Sequence, residues 1–318
     1  MSPSFSGRAK IFSGRANRPL AQKIAQHIGV DLGSIDVNQF SDGETNVEIT
    51  EHIAGCNVFI IQPTCYPVND NLIELLIIVD AARRSGVKSI TAVVPYYGYA
   101  RQDRRPGFTR TPITSRLVAN MIERSGVDRM IVVDIHSQQQ KGFFDIPFHD
   151  VSASPEIVAD IWRRGFSNLK IISPDVGGVV RARAVAKQLD ADIAIVDKRR
   201  QKANESEVMH VIGDVDQFDC VIIDDLIDTA GTLCHAATAL KERGARSVQA
   251  YATHPVFSGN AFANIASSDL DEIVVTDTIP LHGMCEKIRV ISMSELLAET
   301  IRRIQMKKSI SDIYIGLI

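Results

Sequence analysis

Short apolar, β-branched runs punctuate the chain at residues 10–12, 35–40, 58–61, 90–94 and 130–135, with helix-periodic segments between several of them, notably 69–84 and 113–124. The alternation begins again with a helix at 155–164, a strand at 170–173, a helix at 176–189, and strands at 193–196 and 208–212. A buried run at 220–223 leads into a helix at 233–243, followed by a strand at 248–251, a helix near 261–267, strands at 273–276 and 288–291, and a last helix at 294–306. Strands alternating with helices predict an α/β fold with mainly parallel sheets flanked by helices. The segments 85–90 and 243–248 each end a helix in Ser-Gly or Arg-Gly and open a strand, a hint of duplication. The same pattern at 125–130 marks it as the general grammar of α/β chains. A division near residue 150 gives domains 1–150 and 151–318, the last helix packing back on the first.

The run at 220–223 is read as a buried parallel strand that ends in two carboxylates, Asp224 and Asp225. Asp228, Thr229, Ala230, Gly231 and Thr232 follow, small and turn-tolerant, just before a helix. Such a loop can aim backbone N–H groups and the positive end of a helix at a phosphate. The carboxylates would repel that phosphate unless they meet another part of the ligand or a metal ion. A sugar phosphate satisfies both demands, with its hydroxyls donating to Asp224 and Asp225. On spacing alone, an N-capping turn with solvated acids is the ordinary alternative.

Composition narrows the classes. A chain of 318 residues has room for about two domains, and its 45% hydrophobic and 23% charged content is that of a globular protein. The net charge of −3 offers nucleic acid or acidic membranes no whole-chain attraction, so any anion site is local. No apolar run is long enough to span a bilayer, and residues 1–17 are polar and basic without a hydrophobic signal core, which predicts a cytoplasmic chain. The five cysteines are scattered and never spaced Cys-x-x-Cys, which argues for reduced thiols.

Three further polar segments carry candidate chemistry. Residues 96–110 hold four arginines and three tyrosines after a strand, suited to clamping phosphate and stacking on a base. Single-stranded nucleic acid is the rival ligand there, and a solvated basic loop or a subunit contact is the ordinary alternative. The turn Phe40-Ser41-Asp42-Gly43-Glu44 follows another strand. Asp197-Lys198-Arg199-Arg200 ends a strand in a cationic burst that reads equally as a basic flap or an exposed hairpin. His136 stands at a strand end and Asp175 before two glycines where a helix begins; each could touch a metal, although a lone histidine is more often structural. No Walker loop, His-Glu-x-x-His or Gly-x-Gly-x-x-Gly occurs.

Taken together, these motifs resemble the ribose-phosphate diphosphokinase family, in its phosphate-dependent class. The loop at 221–233 resembles one shared with type I phosphoribosyltransferases, whereas Gly98-Tyr99-Ala100-Arg101-Gln102-Asp103-Arg104, Phe40-Ser41-Asp42-Gly43-Glu44, Ser173-Pro174-Asp175-Val176-Gly177-Gly178 and Asp197-Lys198-Arg199-Arg200 separate the two. The resemblance implies two phosphoribosyltransferase-like (type I) domains. It also implies diphosphoryl transfer from ATP to ribose 5-phosphate with Mg²⁺ required, supplying nucleotide, histidine and tryptophan biosynthesis. Asp42, Gly43, Glu44, Arg101 and Gln102 would bind ATP; Asp224, Asp225, Asp228, Thr229, Ala230, Gly231, Thr232 and Arg200 would bind ribose 5-phosphate. Lys198 and Arg200 would be the catalytic cations, and His136 and Asp175 would support Mg²⁺ sites.

The resemblance further implies a homohexamer with inorganic phosphate and ADP as effectors, engaging Arg104, Arg105, Ser309 and Ser311. Ala230 stands where relatives often carry glycine or another small residue, and its methyl is expected to fit if that backbone unit has φ < 0. A non-catalytic synthetase-associated subunit tends to lose or interrupt the catalytic loops, and retention of Lys198, Arg200, His136, Asp224 and Asp225 argues against it. A type I phosphoribosyltransferase, or a regulator built on the same loop, leaves the segments at Asp42 and Arg101 unexplained. No nucleic-acid or membrane partner is expected.

Overall fold

The computed structural model describes residues 9–199 and 208–314, which fall into two compact units. One holds the described residues up to Ser152 with 278–280 and 292–313; the other holds 153–277 with 281–291. The first unit begins with β1 (Ala9–Ser13), α1 (Arg18–Ile28) and an antiparallel ribbon of β2 (Ile35–Gln39) and β3 (Thr45–Ile49). It continues through β4 (Asn57–Ile61), α2 (Val68–Arg84), β5 (Ser89–Val94), α3 (Thr114–Ser125), β6 (Arg129–Val133) and β7 (Phe148–Val151). Its sheet is entirely parallel, in the order β1-β4-β5-β6-β7. Strands such as β4 are buried along nearly their whole length, which is why they read as unbroken apolar runs.

The second unit contains α4 (Ser154–Arg164), β8 (Leu169–Ser173), α5 (Val179–Gln188), β9 (Asp192–Arg199), β10 (Val208–Ile212) and β11 (Asp219–Ile227). After these come α6 (Gly231–Glu242), β12 (Ser247–Pro255), α7 (Ala261–Ser267), β13 (Glu272–Thr276) and β14 (Ile288–Ile291). The chain then returns to the first unit as α8 (Ser294–Gln305), where Arg302 donates to the His27 carbonyl at 2.8 Å and Asn57 to Gln305 at 3.0 Å. The second sheet has the order β10-β9-β8-β11-β12-β13-β14, parallel except for β10. The chain therefore winds one way from β8 to β9 and the other way from β11 onward. The crevice between β8 and β11 is a topological switch point, where open α/β sheets bind ligands. The first sheet has no such reversal.

Several elements depart from expectation. Helix α1 was not anticipated, although Asn17 caps it by accepting from Leu20 N at 3.3 Å and Leu20, Ala21, Ile24 and Ala25 form its buried stripe. Strands β3 and β7 were likewise missed. Helix α5 starts at Val179 because Asp175 Oδ1 accepts from Gly178 N at 2.7 Å and closes a turn where a helix was expected. Strand β11 does not end in its carboxylates: Asp224 pairs with Ala252 and Leu226 with His254, so the acids lie inside the strand. Gly86, Gly126 and Gly244 all have positive φ at the ends of helices, confirming a shared capping device.

Candidate active site

The carboxyl end of β11 brings together what the sequence placed in line. Arg181, on α5 across the switch point, has Nη1 3.3 Å from Asp224 Oδ1 and 3.1 Å from Asp225 Oδ1. Asp225 is 5% exposed, while Asp224 keeps about a third of its side chain (34%) in water. Adjacent residues of a strand ordinarily face opposite ways. Here the Asp225 N–H also donates to Asp224 Oδ1 at 2.8 Å, so the pair converges on one guanidinium. Burial first, and then the neighbouring Asp225, push the Asp224 carboxyl up to about 8, with Arg181 opposing. Sequence reasoning missed Arg181, which sits in the unremarkable helical string Val-Arg-Ala-Arg.

Beyond Ile227 the chain turns through Asp228 and Thr229 into Ala230, whose φ of +63° and ψ of −1° are left-handed. The condition φ < 0, on which the fit of the Ala230 methyl is expected to rest, is therefore not met. The turn needs a left-handed unit to deliver the chain into α6 at Gly231, and the Ala230 carbonyl accepts Cys234 N at 2.9 Å in the first helical turn. The loop ends at the N-terminus of α6, whose first N–H groups have no partner within the helix and can serve a phosphate, and Asp228, Thr229, Gly231 and Thr232 flank that start in the chain. Ala230 itself is 5% exposed and packs in the second unit's core.

The offsetting magnitudes at Ala230 yield a prediction. Glycine there relieves roughly 1–2 kcal/mol of left-handed strain. It also loses about 0.8 kcal/mol of methyl burial and ~0.5–1 kcal/mol to unfolded-chain entropy. Ala230→Gly is thus expected to shift stability by less than about 1 kcal/mol, whereas the β-branched Ala230→Val should cost roughly 2 kcal/mol. Urea unfolding checks both; a stable valine variant would contradict the left-handed turn.

Asp175 lies in the loop after β8, exposed, with one oxygen spent on Gly178 N and its carbonyl accepting Ser173 Oγ at 2.7 Å. Lys198 belongs to β9, where its backbone pairs with Met209 of β10, but its side chain and the whole of Arg200 lie outside the described residues. The expected strand at 193–196 thus extends to Arg199, forming an antiparallel ribbon with β10.

The first unit holds the other candidates. Asp42, Gly43 and Glu44 form the exposed turn of the β2–β3 ribbon: Glu44 N donates to Asp42 Oδ1 at 3.0 Å, and Phe40 N to Glu44 O at 2.8 Å. Arg101 and Gln102 are exposed in the loop after β5, where Gln102 Oε1 accepts from Thr114 Oγ1 at 2.6 Å and its carbonyl from Ser115 N at 3.1 Å. The stacking role offered to the tyrosines needs correction. Tyr96 and Tyr97 are buried at 8% and 2% exposure, and Tyr97 lies edge-on to Phe144 at 5.8 Å with its hydroxyl donating to Ser115 O. Only Tyr99 of the three retains intermediate exposure.

His136 is exposed just past β6. Arg104 and Arg105 are exposed in the β5–α3 loop, and Ser309 and Ser311 are exposed beyond α8. Among the described residues no hydrogen bond joins these arginines to these serines; instead Arg303 donates to the Ser309 carbonyl at 2.9 Å. Among the described residues, too, no three His, Cys, Asp or Glu side chains cluster as a ready-made metal cage, and no helix is long and apolar enough to cross a membrane.

Comparison with known proteins supplies the family. Residues 9–126 match the model of the N-terminal domain of ribose phosphate pyrophosphokinase, and residues 186–315 match the phosphoribosyl synthetase-associated domain. The chain is 56% identical over 307 residues to a ribose-phosphate pyrophosphokinase of Bordetella parapertussis, covering 96% of this chain and 99% of that one. It is 57% identical over 310 residues to that of Xanthomonas axonopodis pv. citri, covering 96% and 97%. The crystal structure of phosphoribosylpyrophosphate synthetase from Mycobacterium smegmatis superposes with a TM-score of 0.89 at 36% identity, over 94% of this chain and 99% of the other. The parallel α/β fold is thus of the type I phosphoribosyltransferase kind, and the chain belongs to the ribose-phosphate pyrophosphokinase family.

Proposed function

We propose that this chain transfers the diphosphoryl group of ATP to the anomeric hydroxyl of ribose 5-phosphate, giving 5-phospho-α-D-ribose 1-diphosphate and AMP. The observation that carries this reading is the carboxylate pair on Arg181 beside a left-handed phosphate turn, at the switch point of the second sheet in a chain of this family. Sugar hydroxyls donate to Asp224 and Asp225, while the 5-phosphate takes the amides and hydroxyls of residues 228–232. Asp42, Gly43, Glu44, Arg101 and Gln102 serve ATP. The anomeric hydroxyl oxygen forms its bond to the β-phosphorus and releases its proton to solvent, while the bond from the β-phosphorus to the α,β-bridging oxygen breaks and that bridging oxygen leaves on the α-phosphate of AMP.

The protein's task in this reaction is positioning and charge neutralisation. Lys198 and Arg200 neutralise the charge that develops toward AMP. The donors present fit Mg²⁺: a hard cation that keeps its waters and shares phosphate oxygens needs one or two protein ligands, not a cage. Asp175, in the second unit, and His136, in the first, would each support a Mg²⁺ site, and the metal when bound would lower the negative charge of the triphosphate. Purified protein given ATP, ribose 5-phosphate and Mg²⁺ should release AMP and 5-phospho-α-D-ribose 1-diphosphate in equal amounts. AMP without the diphosphate product, or no AMP at all, would overturn the reading.

Inorganic phosphate and ADP are the effectors proposed for Arg104, Arg105, Ser309 and Ser311, by resemblance, as is a cytoplasmic homohexamer. Light scattering should return a mass near six chains, and a stable monomer at working concentration would sink that part.

A further inference from the structure

The phosphate loop is held from outside by the chain that follows β12. Phe257 N donates to the Ile227 carbonyl at 3.0 Å, Ser258 Oγ donates to Asp228 Oδ1, and Asn264 Nδ2, on α7, donates to the Thr229 carbonyl at 2.9 Å. Three successive residues, the last of β11 and the first two of the loop, are therefore tied to one neighbouring segment. Asn264 is itself anchored to the helix that the loop feeds, since its carbonyl accepts Cys234 Sγ of α6 at 3.5 Å. It stands 35 residues from Thr229 in the chain, and nothing in the loop's own motif points to it.

The geometry of one peptide gives this contact a consequence. The Thr229–Ala230 bond is trans, so its C=O and N–H point in opposite directions. Holding the Thr229 carbonyl toward α7 turns the Ala230 N–H away from α7. The next residue is an alanine in the left-handed region, a conformation that persists only where its surroundings over-determine it. Unbraced, the 229–230 peptide could rotate and take its N–H out of line.

We propose that Asn264 is a positioning residue for ribose 5-phosphate: by anchoring the Thr229 carbonyl it fixes the peptide whose N–H, with the first amides of α6, meets the 5-phosphate. This rests on the function proposed above. The distinction from mere packing lies in the donor. Asn264→Asp keeps the size and shape but removes the N–H and sets a carboxylate against a carbonyl, so a filler role would tolerate it and a brace would not.

The full-length Asn264→Asp and Asn264→Ala proteins are compared with the wild type in two measurements. The first is steady-state kinetics: KM for ribose 5-phosphate should rise roughly fivefold to tenfold in both variants, the worth of one hydrogen bond, with KM for ATP and the melting temperature little changed. The second is hydrogen exchange of the peptide spanning residues 229–232, which should speed up by about tenfold without ligand. Unchanged exchange in both variants, or a ribose 5-phosphate KM unchanged in Asn264→Asp, overturns the brace. A wild-type protein inactive on these substrates overturns the functional reading instead, and the exchange result still decides whether the brace exists.

Discussion

Lys198→Ala should lower kcat by a few hundredfold, about 3–4 kcal/mol in the barrier, while the KM for ribose 5-phosphate changes little. The split follows from where charge appears. In the proposed reaction a divalent metal and arginine would meet the triphosphate's charge before the chemical step, whereas breaking the bridge to the α-phosphoryl group would create new charge on departing AMP. A cation that meets this charge stabilises the transition state more than the bound substrates, so its removal reads in kcat. Lys198 lies near the end of β9, where the β9–β10 ribbon gives over to the undescribed residues 200–207. Single-turnover measurements at saturating substrates isolate the step, and undiminished turnover would remove Lys198 from the mechanism. Lys198→Arg keeps the charge but changes its geometry, and should recover only part of the rate.

The parts of the molecule legible in sequence are those whose physics is local. Buried parallel strands such as β4, β5 and β11 are written as apolar, β-branched runs, and the turn at residues 228–232 is written as small residues before a helix. Helix α1 is written locally too, in Asn17, Pro19, the 20-21-24-25 stripe and Gly29. Long-range pairing was not legible. That β11 continues through Asp224 depends on its register with β12, and that Arg181 meets both carboxylates depends on α5 crossing beside the switch point. Tyr96 and Tyr97 misled for a related reason: in a loop full of arginines they looked like ligand groups, while packing against residues such as Phe144 takes Tyr97 inward. Ala230 shows the limit most sharply, because identity alone cannot announce a left-handed backbone that the turn imposes.

Asp224→Asn should move stability and activity in opposite directions. The Asp224 carboxyl titrates near 8 in the folded chain against 3.8 ordinarily, raised by burial and by Asp225. A carboxyl whose pKa is raised on folding holds its proton more tightly in the native state. The native state is therefore undiminished below about pH 4 and loses stability progressively as pH rises through the window toward 8. Because a third of the side chain is in water and Arg181 lies beside it, solvent screening discounts the full linkage to about 1–2 kcal/mol. Asparagine cannot ionise, so at pH 9 the variant should be more stable than the wild type by that amount, and at pH 4 nearly equal to it. The same change removes a charged acceptor from the sugar hydroxyls. With a hydrogen bond to a charged group worth about 1.5–3 kcal/mol, kcat/KM for ribose 5-phosphate should fall by roughly tenfold to a hundredfold at pH 9, where the carboxyl is ionised. Urea denaturation at the two pH values reads one effect and steady-state kinetics the other. A stability difference that does not grow with pH would mean that the carboxyl is not held protonated by its surroundings. An unchanged kcat/KM would mean that the ribose binds elsewhere.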